Sequence, residues 1–181
     1  MRRLLVILLA FASLSLRGQD PSSDALKSQL LSFSRKVAAL DCDFVQTKES
    51  SLLSDKAVSG GRMQYARPAR LIWEYTEPFQ LRVSSDDTQN RFIREMMRLV
   101  VSNIEGDFLT DGKLFEAEAS LAGDEITVVL LPQKKELKKM WSKLVLRYDK
   151  NTMHATQFEM VEVSGDRTLV QFSNVKYVVS E

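Results

Sequence analysis

From residue 113 onward the chain repeats one unit: a short stretch with apolar side chains at every second position, then a polar turn. Phe115, Ala117 and Ala119 alternate, Gly123 and Asp124 turn, and residues 126–131 are almost continuously apolar. Leu144, Leu146 and Tyr148 then alternate against Lys143, Val145 and Arg147, and Asp149-Lys150-Asn151 turns again. Two longer stretches, 153–163 and 167–178, flank Ser164-Gly165-Asp166. A period of two places alternate side chains on opposite faces of a strand, and turns at such short intervals predict a meander of hairpins. The segment 132–140 is a lysine-rich connection with room for one helical turn.

The N-terminal half follows the same rule from Asp43, where Phe44 and Gln46 alternate with Val45 and Thr47. Ser54-Asp55-Lys56 is a polar turn. In residues 59–67, Met63, Tyr65 and Arg67 share a face, and Pro68 ends the strand because it has no N–H for the ladder. Leu71, Trp73 and Tyr75 share a face of the next strand, Pro78 breaks it, and residues 80–83 are short and extended. Two segments depart from this period. Leu26, Leu30, Phe33, Val37 and Leu40 recur in steps of three and four, predicting a helix with Asp20 as N-cap and Pro21 at its first position. Phe92, Ile93, Met96, Met97, Val100, Val101 and Ile104 predict a second helix, closed by Gly106-Asp107. The expectation is a mainly β, α+β fold of about nine strands, with both helices docked on the concave face of one curved antiparallel sheet.

The 181 residues, 44% hydrophobic and 27% charged, suit one globular domain rather than a long disordered chain. The N-terminus carries Arg2 and Arg3, an apolar run from Leu4 to Ala12, and small residues at Ser13, Ser15 and Gly18. The run is too short to span a bilayer, so residues 1–18 read as a cleaved secretory signal and 19–181 as the mature domain. Cleavage would remove three of the 25 basic side chains and no acid, leaving 22 against 24. That balance argues against a nucleic-acid footprint. No second long apolar run follows, which predicts an exported protein that is soluble once cleaved. The single cysteine, Cys42, excludes an intrachain disulfide and reads as a small buried side chain, with no sign of a lipid anchor.

Motifs for catalysis are missing. The single histidine, His154, has no nucleophile or carboxylate at a recognisable spacing and reads as structural. The pairs Asp86-Asp87 and Asp124-Glu125 are sequence neighbours whose side chains diverge, and they lack the spaced oxygens of a cation loop. No catalytic residue, metal site or cofactor is expected. Lys134, Lys135, Lys138 and Lys139 form a basic cluster, either a solvated connector or a docking patch for an acidic membrane protein or anionic headgroups. The apolar interior could be filled by side chains or could hold a ligand cavity, and the pattern leaves both open. Six methionines after the initiator, which repack readily around apolar ligands, favour a cavity, as do Tyr65, Trp73 and Tyr75 on adjoining strands. So does Arg67, which shares a face with Met63 and Tyr65 and needs acceptors such as the free carbonyls of a helix C-terminus.

The run DFVQTKESSLLSDKAVSGGRMQYARPARLIWEYTEP, residues 43–78, resembles the N-terminal half of the LolA family of outer-membrane lipoprotein carriers. Phe44 and Gln46 match its F-x-Q strand. Gly61 to Tyr65 match its glycine-to-aromatic strand, and Arg67-Pro68 with Leu71, Trp73 and Glu74 match its R-P-x-x-(apolar)-x-W-(polar) segment. Leu131-Pro132, the Asp149–Thr152 turn and VQFSNV at 170–175 resemble the family's final hairpins, in the style of its divergent Bacteroidetes-type branch. The sequence departs from the family after Pro78, where a longer hairpin usually precedes the middle helix. The resemblance implies an unclosed half-barrel with helices as a lid over an apolar cavity that receives lipoprotein acyl chains. Met63, Tyr65, Leu71, Trp73, Tyr75, Phe92, Met96, Met97 and Val100 are the candidate lining, and Arg67 the candidate lid latch. It implies a periplasmic carrier without enzymatic activity, loaded by an inner-membrane ABC transporter complex and unloaded by an outer-membrane acceptor; a monomer is expected, though the sequence itself is silent on oligomeric state. The alternative is a lipid- or lipoprotein-sensing module on the same fold. A hydrolase built on His154 is a third reading.

Overall fold

The computed structural model of the protein describes residues 21–51, 55–86 and 91–180, with the side chains of Arg91, Phe92 and Glu95 outside the description. The expected signal, 1–18, and the expected cap Asp20 therefore lie outside the described residues.

The described elements run α1 (Ser23–Lys36), β1 (Val37–Glu49), β2 (Ala57–Ala66), β3 (Arg70–Glu77), β4 (Leu81–Ser84), α2 (Arg91–Glu105) and a single 3-10 turn (Asp107–Leu109). Then come β5 (Phe115–Ala122), β6 (Glu125–Pro132), α3 (Lys135–Lys138), β7 (Trp141–Asp149), β8 (Ala155–Glu162) and β9 (Arg167–Val179). The nine strands form one sheet in the order β4-β3-β2-β1-β9-β8-β7-β6-β5, and every described neighbour pair is antiparallel. The first and last strands meet at its centre, while β4 and β5 stand at opposite edges and do not pair, so the sheet is an unclosed half-barrel. The expected fold class is what the chain adopts.

Both boundaries of the first helix differ from the sequence reading, and β2 ends at Ala66, one residue before Arg67. The first helix starts at Ser23, not Pro21, because Ser22 caps it: its Oγ accepts the Ala25 N–H at 3.3 Å. It also stops at Lys36. Val37 takes φ −65° and ψ 112°, and Val37 to Leu40 become the start of a thirteen-residue strand. Val37 and Leu40 kept the helical spacing, but both are buried in the sheet's own core. Pairing with β9, which the local sequence does not show, overrides the local pattern.

The concave face carries two apolar clusters, each under one helix. Leu26 and Leu30 of α1 pack with Phe115, Ile126, Val128, Leu130, Trp141 and Leu144 on the β5–β7 side. Met97 and Val101 of α2 pack with Leu40, Cys42, Phe44, Met63, Tyr65 and Leu71 on the β1–β3 side. Gly106 ends α2 at φ +81°, a left-handed conformation open to glycine at no steric cost.

The β5 edge of the open sheet is guarded by α1. The Ala119 N–H donates to Ser23 Oγ at 2.9 Å, and Lys27 Nζ donates to the Ala117 carbonyl at 3.3 Å. Two edge groups that would otherwise invite another strand are thereby occupied.

Candidate functional site

Between α2 and the floor of β1, β3, β8 and β9 lies a cavity of about 600 Å³, within the range of small-molecule sites. Alternation on β3 turns Leu71, Trp73 and Tyr75 into it, and the helical spacing of α2 adds Ile93, Met96, Met97 and Val100. Val83 comes from β4, Phe158 and Met160 from β8, and Val170 from β9. A second, narrow space of about 50 Å³ continues beside it, reaching Met63, Trp73, Val100, Phe172 and Tyr177. The interior is thus packed in part and open in part, which the sequence left undecided.

Of the candidate lining, Leu71, Trp73, Tyr75, Met96, Met97 and Val100 converge on the larger cavity, and Met63 on the narrow one. Tyr65 lies beside them, buried, with its hydroxyl turned to α2, where it donates to Glu105 Oε1 at 2.5 Å. Burial is the main reason the Tyr65 phenol titrates well above its ordinary value. Phe92 lies outside the described side chains. Phe158, Val170 and Val83 were not among the candidates. Phe158 could have been found, since it alternates with Met160 on one strand, but which strand lies beside β1 is a matter of topology.

The motif residues have physical tasks here. The Phe44 ring sits 4.5 Å from Trp73 and 5.4 Å from Tyr75, the latter edge-on. Gln46 Oε1 accepts the Tyr75 hydroxyl at 3.2 Å. A Cβ on Gly61 would lie 1.9 Å from the Glu74 carbonyl oxygen, so β2 and β3 approach this closely only over glycine. Trp73 Nε1 is buried and finds no hydrogen-bond acceptor among the described residues.

Arg67 follows β2 at its exposed end. Its Nε donates to the Val37 carbonyl at 2.6 Å, and one Nη donates to the Ser34 and Arg35 carbonyls, each at 3.1 Å. Its backbone N–H donates to the Ala38 carbonyl at 3.0 Å. A cation thereby sits at the negative end of α1 and satisfies carbonyls that the helix leaves open.

The reactive residue types sit in structural surroundings. Cys42 is 1% exposed, and burial pushes its thiol up to about 12. His154 lies in the connection before β8 with its ring 4.5 Å from Tyr177 and 6.0 Å from Phe33; burial lowers its pKa, against the pull of Asp149. Among the described residues no three His, Cys, Asp or Glu side chains gather as a metal site, and no helix is long and apolar enough to cross a membrane.

Comparison with known proteins adds a family. The family model described as outer membrane lipoprotein carrier protein LolA matches residues 35–180. A search of curated proteins gives no match. Among solved structures, the chain is similar to a LolA superfamily protein from Nitrosomonas europaea, at 9% identity and a TM-score of 0.41, covering 89% of this chain and 96% of that one. It is similar to a DUF1329 family protein from Desulfovibrio piger, at 11% identity and a TM-score of 0.38, covering 89% and 95%. It is also similar to a chain of the MucA/MucB complex of Pseudomonas aeruginosa, at 9% identity and a TM-score of 0.46, covering 88% and 58%. With most of its length matched by the family model, this chain belongs to the LolA family of outer membrane lipoprotein carrier proteins.

Proposed function

We propose that this protein is a periplasmic carrier that shelters the acyl chains of lipoproteins on their way from the inner to the outer membrane. The observation that carries the reading is the apolar cavity of about 600 Å³ between α2 and the sheet. Its lining is supplied mostly by aliphatic, aromatic and methionine side chains, which bind chains by removing them from water rather than by directional bonds. Each methylene transferred contributes roughly 0.8 kcal/mol, so an acyl chain holds firmly yet can pass to a more apolar site downstream. Arg67 acts as the latch: its bonds to the last α1 carbonyls hold that helix against the sheet and must exchange when the interior opens. Residues 1–18 direct export. An inner-membrane ABC transporter complex supplies the cargo and an outer-membrane acceptor takes it. The chain performs no bond-making chemistry.

Incubating the purified protein with inner-membrane vesicles carrying a labelled lipoprotein tests this. A soluble one-to-one complex in the supernatant is the expected product. Label retained in the vesicles at every protein concentration would rule out carriage and favour a sensing module.

A further inference from the structure

We propose that the mouth of the cavity docks directly on the surface of an anionic phospholipid bilayer. The rim is unusual for a solvent-facing surface. Leu81, Met140 and Val163 line the cavity and are 47%, 38% and 58% exposed. The Met140 and Val163 backbones are joined by a hydrogen bond of 3.1 Å, so two hairpin ends present one apolar tip. Phe79, 52% exposed, stacks 5.6 Å from Tyr75 of the lining.

Beside this tip stands the basic cluster. Lys134, Lys135, Lys138 and Lys139 are exposed, and Lys139 itself lines the cavity mouth. Leu137 is half-buried against the core and anchors α3. At 100° per residue Lys135, Lys138 and the C-cap Lys139 fall within about 100° of arc on the side away from Leu137, and Lys134 precedes the turn in extended backbone. Among the described residues no ion pair engages any of the four, although Arg62, Arg147 and Arg167 elsewhere are all paired. Glu136 stands in the same turn, Glu162 shares the cavity lining with Lys139, and Lys138 Nζ donates at 3.5 Å to Oε1 of Gln133, whose amide donates to Glu116; Lys48 adds a cation to the rim. Exposed apolar side chains beside unpaired lysines match a surface with negative headgroups over hydrocarbon: the charges meet phosphates while the apolar tip enters the acyl boundary. An acidic protein would satisfy the lysines but would give Met140 and Val163 no hydrocarbon.

This surface rests on the carrier reading only for its purpose, and the two fail separately. The test is sedimentation of the purified protein with vesicles of phosphatidylcholine, with and without phosphatidylglycerol. Binding should require phosphatidylglycerol and fade as ionic strength rises. Lys138→Gln with Lys139→Gln should weaken it roughly 25-fold, from about fivefold per lysine. Met140→Ser with Val163→Ser should weaken it as well, and all four sites are exposed, so circular dichroism should be unchanged. No enrichment on anionic vesicles, or equal binding by parent and variants, would overturn the proposal. Capture by immobilised poly-glutamate without vesicle binding would overturn it in favour of an acidic protein. Docking with no release of lipoprotein would count against carriage, and release unaffected by loss of docking against this surface.

Discussion

At the scale of single residues, the polar groups at the margin of the apolar interior are the most sensitive points. Arg67→Leu removes three side-chain hydrogen bonds to carbonyls at the end of α1. The site is exposed, so the stability cost should be modest, about 1–2 kcal/mol. Hydrogen exchange should show faster exchange in α1; unchanged protection there would remove Arg67 from its latch role. Tyr65→Phe frees the Glu105 carboxylate from its donor and should loosen the C-terminal end of α2 at a similar cost, read by denaturant unfolding. His154 gives a pH signature. Its folded pKa lies below the ordinary 6.5 because burial disfavours the charged ring. The unfolded chain therefore takes up the proton first, and stability falls as pH drops below about 6.5. The depressed carboxylates, Asp24, Asp41, Asp149, Asp166 and Glu49, act only at lower pH. Urea unfolding between pH 7.5 and 5.5 should show this slope, and His154→Gln should flatten it while leaving lipoprotein release intact. That Arg67 would seek carbonyls at a helix end was legible in the sequence, although it stands past the end of β2 and exposed rather than on the strand's apolar face. Glu105 as the partner of Tyr65 was not, because 40 residues of chain separate them.

Elements were legible where their period was unbroken. The nine strands follow from alternation and turns, and α2 from its helical stripe closed by Gly106. Val37 to Leu40 misled because a spacing of three is helical, whereas a regular strand would turn the two side chains to opposite faces; the register shift between Val37 and Ala39 in the pairing with β9 lets both be buried in one strand. The glycine-to-aromatic strand now has a cause in the approach of β2 to β3 at Gly61. Gly61→Ala must push those strands apart and should cost about 1–3 kcal/mol, measured as a lower urea midpoint. A midpoint equal to that of the parent would mean the strands are free to separate. The guard on the β5 edge was invisible to pattern reading, since Ser23 and Lys27 look like ordinary surface positions of a helix. Ser23→Ala with Lys27→Ala uncovers an edge N–H and an edge carbonyl, so concentration-dependent self-association should appear in analytical ultracentrifugation.

For the whole molecule, the open sheet and its cavity depend on one seam. The two halves of the sheet, β1–β4 and β5–β9, are sewn together by the pairing of β1 with β9, which runs from Val37↔Val179 to Glu49↔Arg167. Strand order of this kind is not written in local periodicity, and it is why Phe158 and Val170 face the same space as Leu71 without having been expected there. An acyl ligand bound in this cavity, as proposed, would touch both halves and should raise the melting temperature, with a gain of about 2.7 kcal/mol at a hundredfold excess over Kd. The same seam sets a timetable for biogenesis. A growing chain emerges N-terminus first, and β1 has to wait for the last strand before its second edge is covered. For nearly the whole of synthesis, a thirteen-residue strand with an apolar face is an unfinished surface. Nascent copies therefore need protection until residue 179 is available, and a chain stopped short of β9 leaves facing edges of β1 and β8 unpaired.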